Sequence, residues 1–514
     1  MNIRKFLALL ICLMLLCSTF VGCQKEEPTT PTVSAEEVIN CAALTVGEHT
    51  VNGVELNYFY IEMVNSFYQE YGYYISLILD VNKPLNTQIF NEETNQTWAD
   101  YFLECSINDI KGTYALYDAA VAAGQTLSES DIASVDAIME SIEYYAKYYK
   151  FDSTDAYLAS LFGPGADAAS YRAYYERNLL ADNYYGYYYE SLTYDEATLK
   201  EFEGENGHKY NSYSYATYYL ATTKYLTGGT ENEKGEVTYT DAERKAAEEA
   251  CKNAAQAVAD GSYADVDAFN TALKAIPANL NLGSVNATVY EEKLYSDVSS
   301  LFVDFVSTAD RKAGDMTIIP KVSGTEDNQT IDGYYIVMHL DTNDNTFFLK
   351  NVRHILVIPN GGTYNSVTGY YDYTEAEMAK AKEEAQQLLD TWLSGKATEM
   401  SFSLMANEKS DDQGGKVTNG GLYENIFPGQ MVKEFDAWCY AEGRQHGDYE
   451  IIGTDFGYHI MFFSGDSTYT YRSFMLTSDK RNLDAKAWYD ALIDTVEVVT
   501  LDLQYVDLDM TLNG

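Results

Sequence analysis

Cations are what this 514-residue sequence most lacks. Against 78 Asp and Glu it sets 34 Lys and Arg, for a formal net charge of −44. A surface so negative repels nucleic-acid phosphates and anionic lipid headgroups, which excludes nucleic-acid binding and also keeps an exported chain soluble. Histidine is scarce too: six, scattered along the chain, are too few for the convergent ligands of a metal site. The seven cysteines show no Cys-x-x-Cys and no Cys/His spacing, which argues against a zinc site, and no disulfide pairing can be read from them. There is no Gly-x-Ser-x-Gly elbow for a serine nucleophile and no Gly-rich phosphate loop. The apolar run at 6–16 is too short for a comfortable membrane span.

That run follows Arg4 and Lys5 and ends in small residues, the pattern of a secretory signal. Its last residues, Phe20-Val21-Gly22-Cys23, resemble a bacterial lipobox, with Phe20 where that family usually has Leu. The resemblance implies cleavage of a 1–22 signal peptide and lipidation of Cys23. The Pro, Thr and Glu content of QKEEPTTPTVSAEE makes 23–37 a tether. The expected location is extracytoplasmic, with the membrane as a partner through the lipid anchor. Cys41, Cys105, Cys251 and Cys439 are then left, and are expected as buried free thiols.

Tyrosine is abundant, at 47, and clustered in EYYAKYYK (143–150) and NYYGYYYES (183–191). Rigid rings with a polar tip suit half-buried helix faces and equally a cradle for varied chains, and both uses stay open. Apolar periodicity predicts helices over 56–71, 97–123, 128–149, 155–162 and 168–192, with Ser128 and Ser153 as N-caps and breakers at Gly124 and Gly163-Pro164-Gly165. Before them VGEHTVNGVELN (46–57) predicts a hairpin turning at Asn52-Gly53 and then a helix. This order resembles the amino-terminal chaperone region of SurA-like and PrsA-type foldases, which implies a helical lobe at 38–205.

Further on the sequence repeats itself. TYTDAERKAAEEACKNAAQAVADG (238–261) parallels DYTEAEMAKAKEEAQQLLDTWLSG (372–395), each with a Thr cap, an acidic first turn, a long helix and a closing Gly. LFVDFVSTADRKAGDMTIIP (301–320) then parallels EFDAWCYAEGRQHGDYEIIG (434–453), and DGYYIVMHL (332–340) parallels FGYHIMFF (456–463). Two related domains in tandem are the simplest account. The copies differ in one respect: where the second has His459 the first has Tyr335, and no histidine occurs from Lys209 to Met338.

A lone imidazole in a strand is usually a satisfied core group. The second copy, however, has two such strands, NVRHILVIP (351–359) with His354 and FGYHIMFF with His459. If they are neighbours in a sheet, the two rings can answer each other's buried polar atoms. Between them lie SDDQGG (410–415), NGGLYENIFPGQMVKEFD (419–436) and GTDFGYH (453–459). In this order the motifs resemble those of parvulin-type peptidyl-prolyl isomerases, across about 348–465.

The resemblance implies an α+β multidomain fold: the helical lobe, then two tandem parvulin-like domains with four-stranded antiparallel sheets and flanking helices. The first, at 206–347, is degenerate, and the second, at 348–466, is the isomerase domain. It places His354 and His459 as a pair at the floor of the site, Thr454 hydrogen-bonded nearby, and Asp412 beside the reacting amide. Met431 and Phe435, four apart and so on one face of a helical turn, would wall the proline pocket. Tyr423 stands in that wall where the family usually has Leu. The histidines either act on substrate or chiefly polarise the site and preserve the fold, and the second role is favoured. No cofactor and no metal are implied. The expected partners are unfolded or partly folded exported polypeptides containing X-Pro bonds. The tail, 467–514, is expected to form a helix near 484–493 and a strand in VEVVTLDLQYVDLDM, both packing on the helical lobe. The competing readings are a non-catalytic holdase and, more weakly, a solute-binding lipoprotein.

Overall fold

The computed structural model describes residues 33–277, 280–325, 329–366, 368–412 and 419–512. The signal segment, Cys23, the tether to residue 32 and Gln413-Gly414-Gly415 lie outside the described residues. The chain is α+β and divides into two units, one of Met1–Thr193 with Lys480–Gly514 and one of Tyr194–Asp479. Among the described residues no helix is long and apolar enough to cross a membrane.

The first unit opens with α1 (Ala35–Asn40), the hairpin β1 (Ala42–Val46) and β2 (His49–Asn52), and α2 (Gly53–Tyr71). A small hairpin, β3 (Ile89–Asn91) and β4 (Gln96–Thr97), leads into α3 (Trp98–Ala122), α4 (Glu129–Tyr148), α5 (Thr154–Phe162) and α6 (Ala168–Ser191). Ser128 closes a capping box with Asp131, and Ser153 accepts from the Ala156 N–H. Asn52-Gly53 is not the hairpin turn. Asn52 has φ −87 and caps α2, its side chain accepting from the Glu55 N–H, while the chain turns at Gly47-Glu48 with Gly47 at φ +56. Asn serves both roles, and the free N–H groups of a helix start claimed it here.

Aromatic packing holds α2, α5 and α6 together. Tyr58 meets Phe162 and Tyr171 edge-on, with centroids at 5.0 and 5.2 Å. Beside them the buried Glu62 accepts from the hydroxyls of Tyr171 at 3.0 Å and Tyr174 at 3.2 Å. The tyrosines divide: Tyr171, Tyr174 and Tyr175 on α6 are core, whereas Tyr144 and Tyr148 of the 143–150 cluster and Tyr187 of the 183–191 cluster are exposed.

The second unit starts with α7 (Glu196–Glu203), a helix inside the 38–205 span expected for the helical lobe. Then come β5 (Ser212–Ala221), the hairpin β6 (Thr230–Glu231) and β7 (Val237–Thr238), α8 (Asp241–Ala259) and α9 (Val266–Lys274). After these follow β8 (Thr288–Leu294), α10 (Val303–Val306), β9 (Met316–Ser323) and β10 (Thr330–Asn343). The next stretch repeats the pattern with β11 (Phe348–Val357), the hairpin β12 (Thr363–Asn365) and β13 (Tyr370–Asp372), α11 (Glu375–Ser394) and α12 (Glu399–Lys409). It ends with β14 (Leu422–Ile426), α13 (Lys433–Cys439), β15 (Tyr449–Thr454) and β16 (Gly457–Thr470). Both sheets are four-stranded and antiparallel, ordered β8-β5-β10-β9 and β14-β11-β16-β15, so in each the first long strand pairs with the last.

Small devices recur in both copies. Thr240–Glu243 and Thr374–Glu377 are capping boxes whose glutamates also accept from the preceding hairpins, at the Gly229 N–H and the Gly362 N–H. Arg311 Nε donates to the Phe305 carbonyl at 3.1 Å, and Arg444 Nε to the Trp438 carbonyl at 3.0 Å.

The last helix, α14 (Tyr471–Asp494), is twice the length expected, and its residues from Lys480 belong to the first unit. The tail strand is much shorter than its alternating sequence suggested: only β17 (Val498–Thr500) forms, pairing with β1 through Leu44↔Thr500 and Val46↔Val498. β17 pairs only with Leu44–Val46, and just beyond it the Leu501 and Asp502 N–H groups both donate to the Ala43 carbonyl, where the regular ladder ends. Leu503, Tyr505, Leu508 and Met510 instead pack on the core from irregular backbone. The four cysteines among the described residues are free; Cys41, Cys251 and Cys439 are buried, but Cys105 is only partly so.

Candidate active site

Strand alternation gives the second sheet two apolar faces. Ile355, Val357, Ile460 and Phe462 point to α11 and α12, while Val352, Met461 and Phe463 point to α13. His354 on β11 lies opposite Met461, and His459 on β16 opposite Leu356. Both imidazoles therefore stand on the α13 face as diagonal neighbours, with Nδ1 atoms 3.0 Å apart. They are 3% and 5% exposed, so each ring nitrogen needs a protein partner.

Each has one. His354 Nε2 is 2.9 Å from Asp412 Oδ2, and the Tyr423 hydroxyl donates to the same oxygen at 2.7 Å. His459 Nε2 is 2.9 Å from Thr454 Oγ1, which also accepts from the Phe456 N–H at 3.1 Å. Two proton arrangements satisfy the chain. In one, Thr454 donates to His459 Nε2, His459 Nδ1–H to His354 Nδ1, and His354 Nε2–H to Asp412. In the other every direction reverses, which requires a protonated Asp412 to donate to His354 Nε2 and Thr454 to donate to the Gly457 carbonyl at 3.5 Å. The first uses only bonds of ordinary length and is preferred. His459 carries one ring proton in both. Burial above all, with the neighbouring His354 adding to it and Asp412 opposing it, lowers its pKa to about 3.

The loop bearing Asp412 is held onto β11 by Ser410, the first residue of the SDDQGG motif, for which neighbouring sequence carries no signal of a role. Its buried hydroxyl oxygen accepts from the Leu356 N–H at 3.0 Å and the Asp412 N–H at 3.2 Å. Two glycines bring backbone close on either side of the histidines. Gly421, at φ +68, lies where a Cβ would come within 2.3 Å of the His354 carbonyl oxygen. Gly457, at φ +132, lies where one would come equally close to the Val357 carbonyl.

Phe435 is buried in the apolar cluster beside the pair and stands edge-on to both imidazoles, at 5.4 Å and 83° from His354 and 5.8 Å and 87° from His459. Met431 and Tyr423 are half-buried members of the same cluster. Met431 is not on the helix with Phe435: α13 starts at Lys433, and Met431 belongs to the turn before it. The Asp436 carboxylate holds that turn by accepting from the Gly429 and Met431 N–H groups. Tyr423 is more than a wall, since its hydroxyl joins the polar chain; a tyrosine at an expected apolar position was the signal for this.

Pairs matching those of the histidines in the first copy are Thr217↔Val337 and Tyr219↔Tyr335. Thr217 and Tyr335 thus stand in the places of His354 and His459. Tyr335 packs on Tyr219 at 4.9 Å and on Phe302 at 5.2 Å, so aromatic contact replaces the polar chain.

Residues 335–464 match the family model described as the PPIC-type PPIASE domain. No curated protein matches the chain. Among solved structures, peptidylprolyl isomerase PrsA from Bacillus cereus is 21% identical over 32% of this chain and 56% of its own, with a TM-score of 0.18. PrsA from Bacillus anthracis is 20% identical over 30% of this chain and 59% of its own, also at 0.18. A chain from a pair of SurA-like chaperones of Campylobacter jejuni is 16% identical over 44% of this chain and 75% of its own, at 0.15. The chain spans less than two thirds of the length of the two PrsA proteins.

Proposed function

Starting from a parvulin-type, PPIC-like domain in a PrsA-like chain, we propose that the second copy is a peptidyl-prolyl cis/trans isomerase acting on exported polypeptides as they fold. The observation that carries this reading is the hydrogen-bonded chain Thr454–His459–His354–Asp412–Tyr423 running beside the apolar cluster of Phe435 and Met431.

Rotating an X-Pro bond means losing amide resonance over a barrier of about 18–20 kcal/mol, and uncatalysed exchange takes about tens to hundreds of seconds. No covalent bond need form. A catalyst has to hold the pyrrolidine ring, exclude the water that stabilises the planar amide, and favour the twisted state by about 1.4 kcal/mol for each tenfold in rate. Met431 and Phe435 supply apolar surface for the ring. Asp412 Oδ2 already accepts two hydrogen bonds, which suits a fixed negative charge beside the amide and not a nucleophile. His354, bonded to that carboxylate, and His459 behind it hold it in place and are positioning residues.

Holding clients is a second role, favoured by the first unit, where Tyr74 and Leu77 are 66% and 82% exposed in one short apolar segment. Residues 4–23 support an exported chain anchored through Cys23. NMR exchange spectroscopy on a short X-Pro peptide tests the isomerase reading: the full chain should accelerate exchange, and none from folded protein would leave the holdase reading in its place.

A further inference from the structure

Arg353 precedes His354 on β11, so its side chain leaves the sheet on the opposite face, the side of α12. There its Nε donates to Glu399 Oε1 at 2.9 Å, and its Nη1 donates to the carbonyls of Asn419 and of Gly420, the latter at 3.1 Å. Glu399 is the first residue of α12, and its other oxygen lies 3.0 Å from His446 Nε2. Against burial, the hydrogen bonds from His446 and Arg353 hold this carboxyl below its usual range, so it stays a charged partner for the guanidinium.

The two carbonyls belong to the turn that leads into β14, where Gly420 and Gly421 have φ of +66 and +68. α12 grips this turn as well, through Asn407 Oδ1, which accepts from the Gly420 N–H at 2.8 Å. The Gly421 carbonyl in turn accepts from the His354 N–H at 2.9 Å. Leu422 then pairs with Arg353 and Tyr423 with Val352, after which the register shifts. Tyr423 thus follows the guanidinium's contacts by three residues, on a strand with only two regular pairs there. Its hydroxyl is one of the two donors to Asp412 Oδ2, at 2.7 Å, and a bond of that length tolerates little movement of the strand.

The first copy has neither member of the ion pair. Ala216, next to Thr217 and opposite Met338, stands where Arg353 stands next to His354 and opposite Phe462. Val266, the first residue of α9 after its Asp265 cap, stands where Glu399 follows the Thr398 cap of α12. Both copies build the sheet, but only the copy with the histidines has the arginine and the glutamate. That distribution ties the ion pair to the polar chain.

We propose that Arg353, held by Glu399, is a positioning residue of the candidate isomerase site, which fixes the turn at 419–421 and through it the Tyr423 hydroxyl on Asp412. The proposal rests on the isomerase reading and extends that site to a residue on the far face of the sheet. Its force comes from the sensitivity of catalysis to placement, since a shift of about 1 Å caused from a distance costs up to about 10²-fold in rate.

The test uses the full chain and NMR exchange on a short X-Pro peptide at low and saturating concentrations, which separates KM from kcat. Arg353→Met keeps the stem and removes the donors; it should lower kcat by about fivefold and leave KM within about twofold of wild type. Combined with Tyr423→Phe it should add nothing to the slower single variant, because both changes break the same bond. Arg353→Lys, which keeps a donor for the carbonyls, should recover most of the rate. Leu389→Ala, a truncation in the buried cluster under α11, controls for stability alone: it should lower the melting temperature and leave kcat unchanged. Full kcat in Arg353→Met, or effects that multiply in the double variant, would overturn the proposal. If Arg353→Met does not fold, Glu399→Gln takes its place and is read in the same way. Failure of the isomerase reading registers separately, as exchange that wild type does not change. The His354 Nε2 resonance then decides the positioning alone: it should shift alike in Arg353→Met and Tyr423→Phe, and a resonance unmoved in Arg353→Met would overturn it.

Discussion

His354 and His459 face each other with their Nδ1 atoms 3.0 Å apart, on neighbouring strands and almost wholly out of water. A nitrogen pair at that distance shares one proton, so neither ring can change its protonation without its partner and the groups beyond it adjusting. The site is therefore one polar unit from Thr454 to Tyr423, set against apolar packing.

Because burial holds His459 far below the usual imidazole range, its ring should stay neutral at any pH near neutrality. Nitrogen-detected NMR should show no titration of His459 between pH 8 and pH 5. The same shift makes a stability contribution that is full above about 6.5, where the unfolded histidine is also neutral, and is lost as pH falls toward about 3. A transition of this ring near pH 6.5 would contradict the buried pair.

Asp412 and Tyr423 should be unequal. Tyr423→Phe removes one of two donors to the carboxylate and should cost about 1 kcal/mol of stability, with exchange slowed severalfold. Asp412→Ala strands His354 Nε2–H in a buried place and should cost about 1–3 kcal/mol, with exchange slowed by about tenfold or more. Urea unfolding and peptide exchange on the two variants check the order, and a larger effect from Tyr423→Phe would break it.

Gly457→Ala should be among the most damaging single changes in the second copy. Its φ of +132 and the 2.3 Å approach of a Cβ to the Val357 carbonyl leave no cheap accommodation. Loss of the domain's cooperative unfolding in calorimetry is the expected result.

In the first unit burial raises the Glu62 carboxyl to about 7, against the hydrogen bonds from Tyr171 and Tyr174 that favour its charged form. Its contribution to stability is full below about 4.5 and is lost as pH climbs through about 7. Glu62→Gln should therefore raise the melting temperature at pH 8 and change it little at pH 4.5, each kcal/mol counting for about 2–4 °C in a unit of this size. An equal shift at both values would rule this out.

Much of the architecture is legible where one local signal suffices. Thr374 with Glu377 announces α11, and alternating apolar residues around His354 and His459 announce the strands of the second sheet. What was illegible depends on partners distant in sequence. Asn52 reads as a turn until free N–H groups behind it make it a cap. The tail alternates like a strand, but its ladder with β1 stops after three pairs, where two successive N–H groups, of Leu501 and Asp502, share the Ala43 carbonyl. Met431 looks helical by spacing, and only the Asp436 carboxylate folding back shows it in a turn. Within the candidate site the residue types were readable from motif order, whereas the bond from the Tyr423 hydroxyl to Asp412 needed the fold.

The most direct test of the isomerase account is X-Pro exchange by the full chain compared with a Met431→Ala, Phe435→Leu double variant verified as folded by circular dichroism. The account predicts clear acceleration by the wild type and a loss of about tenfold or more in the variant, since both changes remove apolar surface for the proline ring. No acceleration by folded wild type, or acceleration that the variant retains in full, would contradict it.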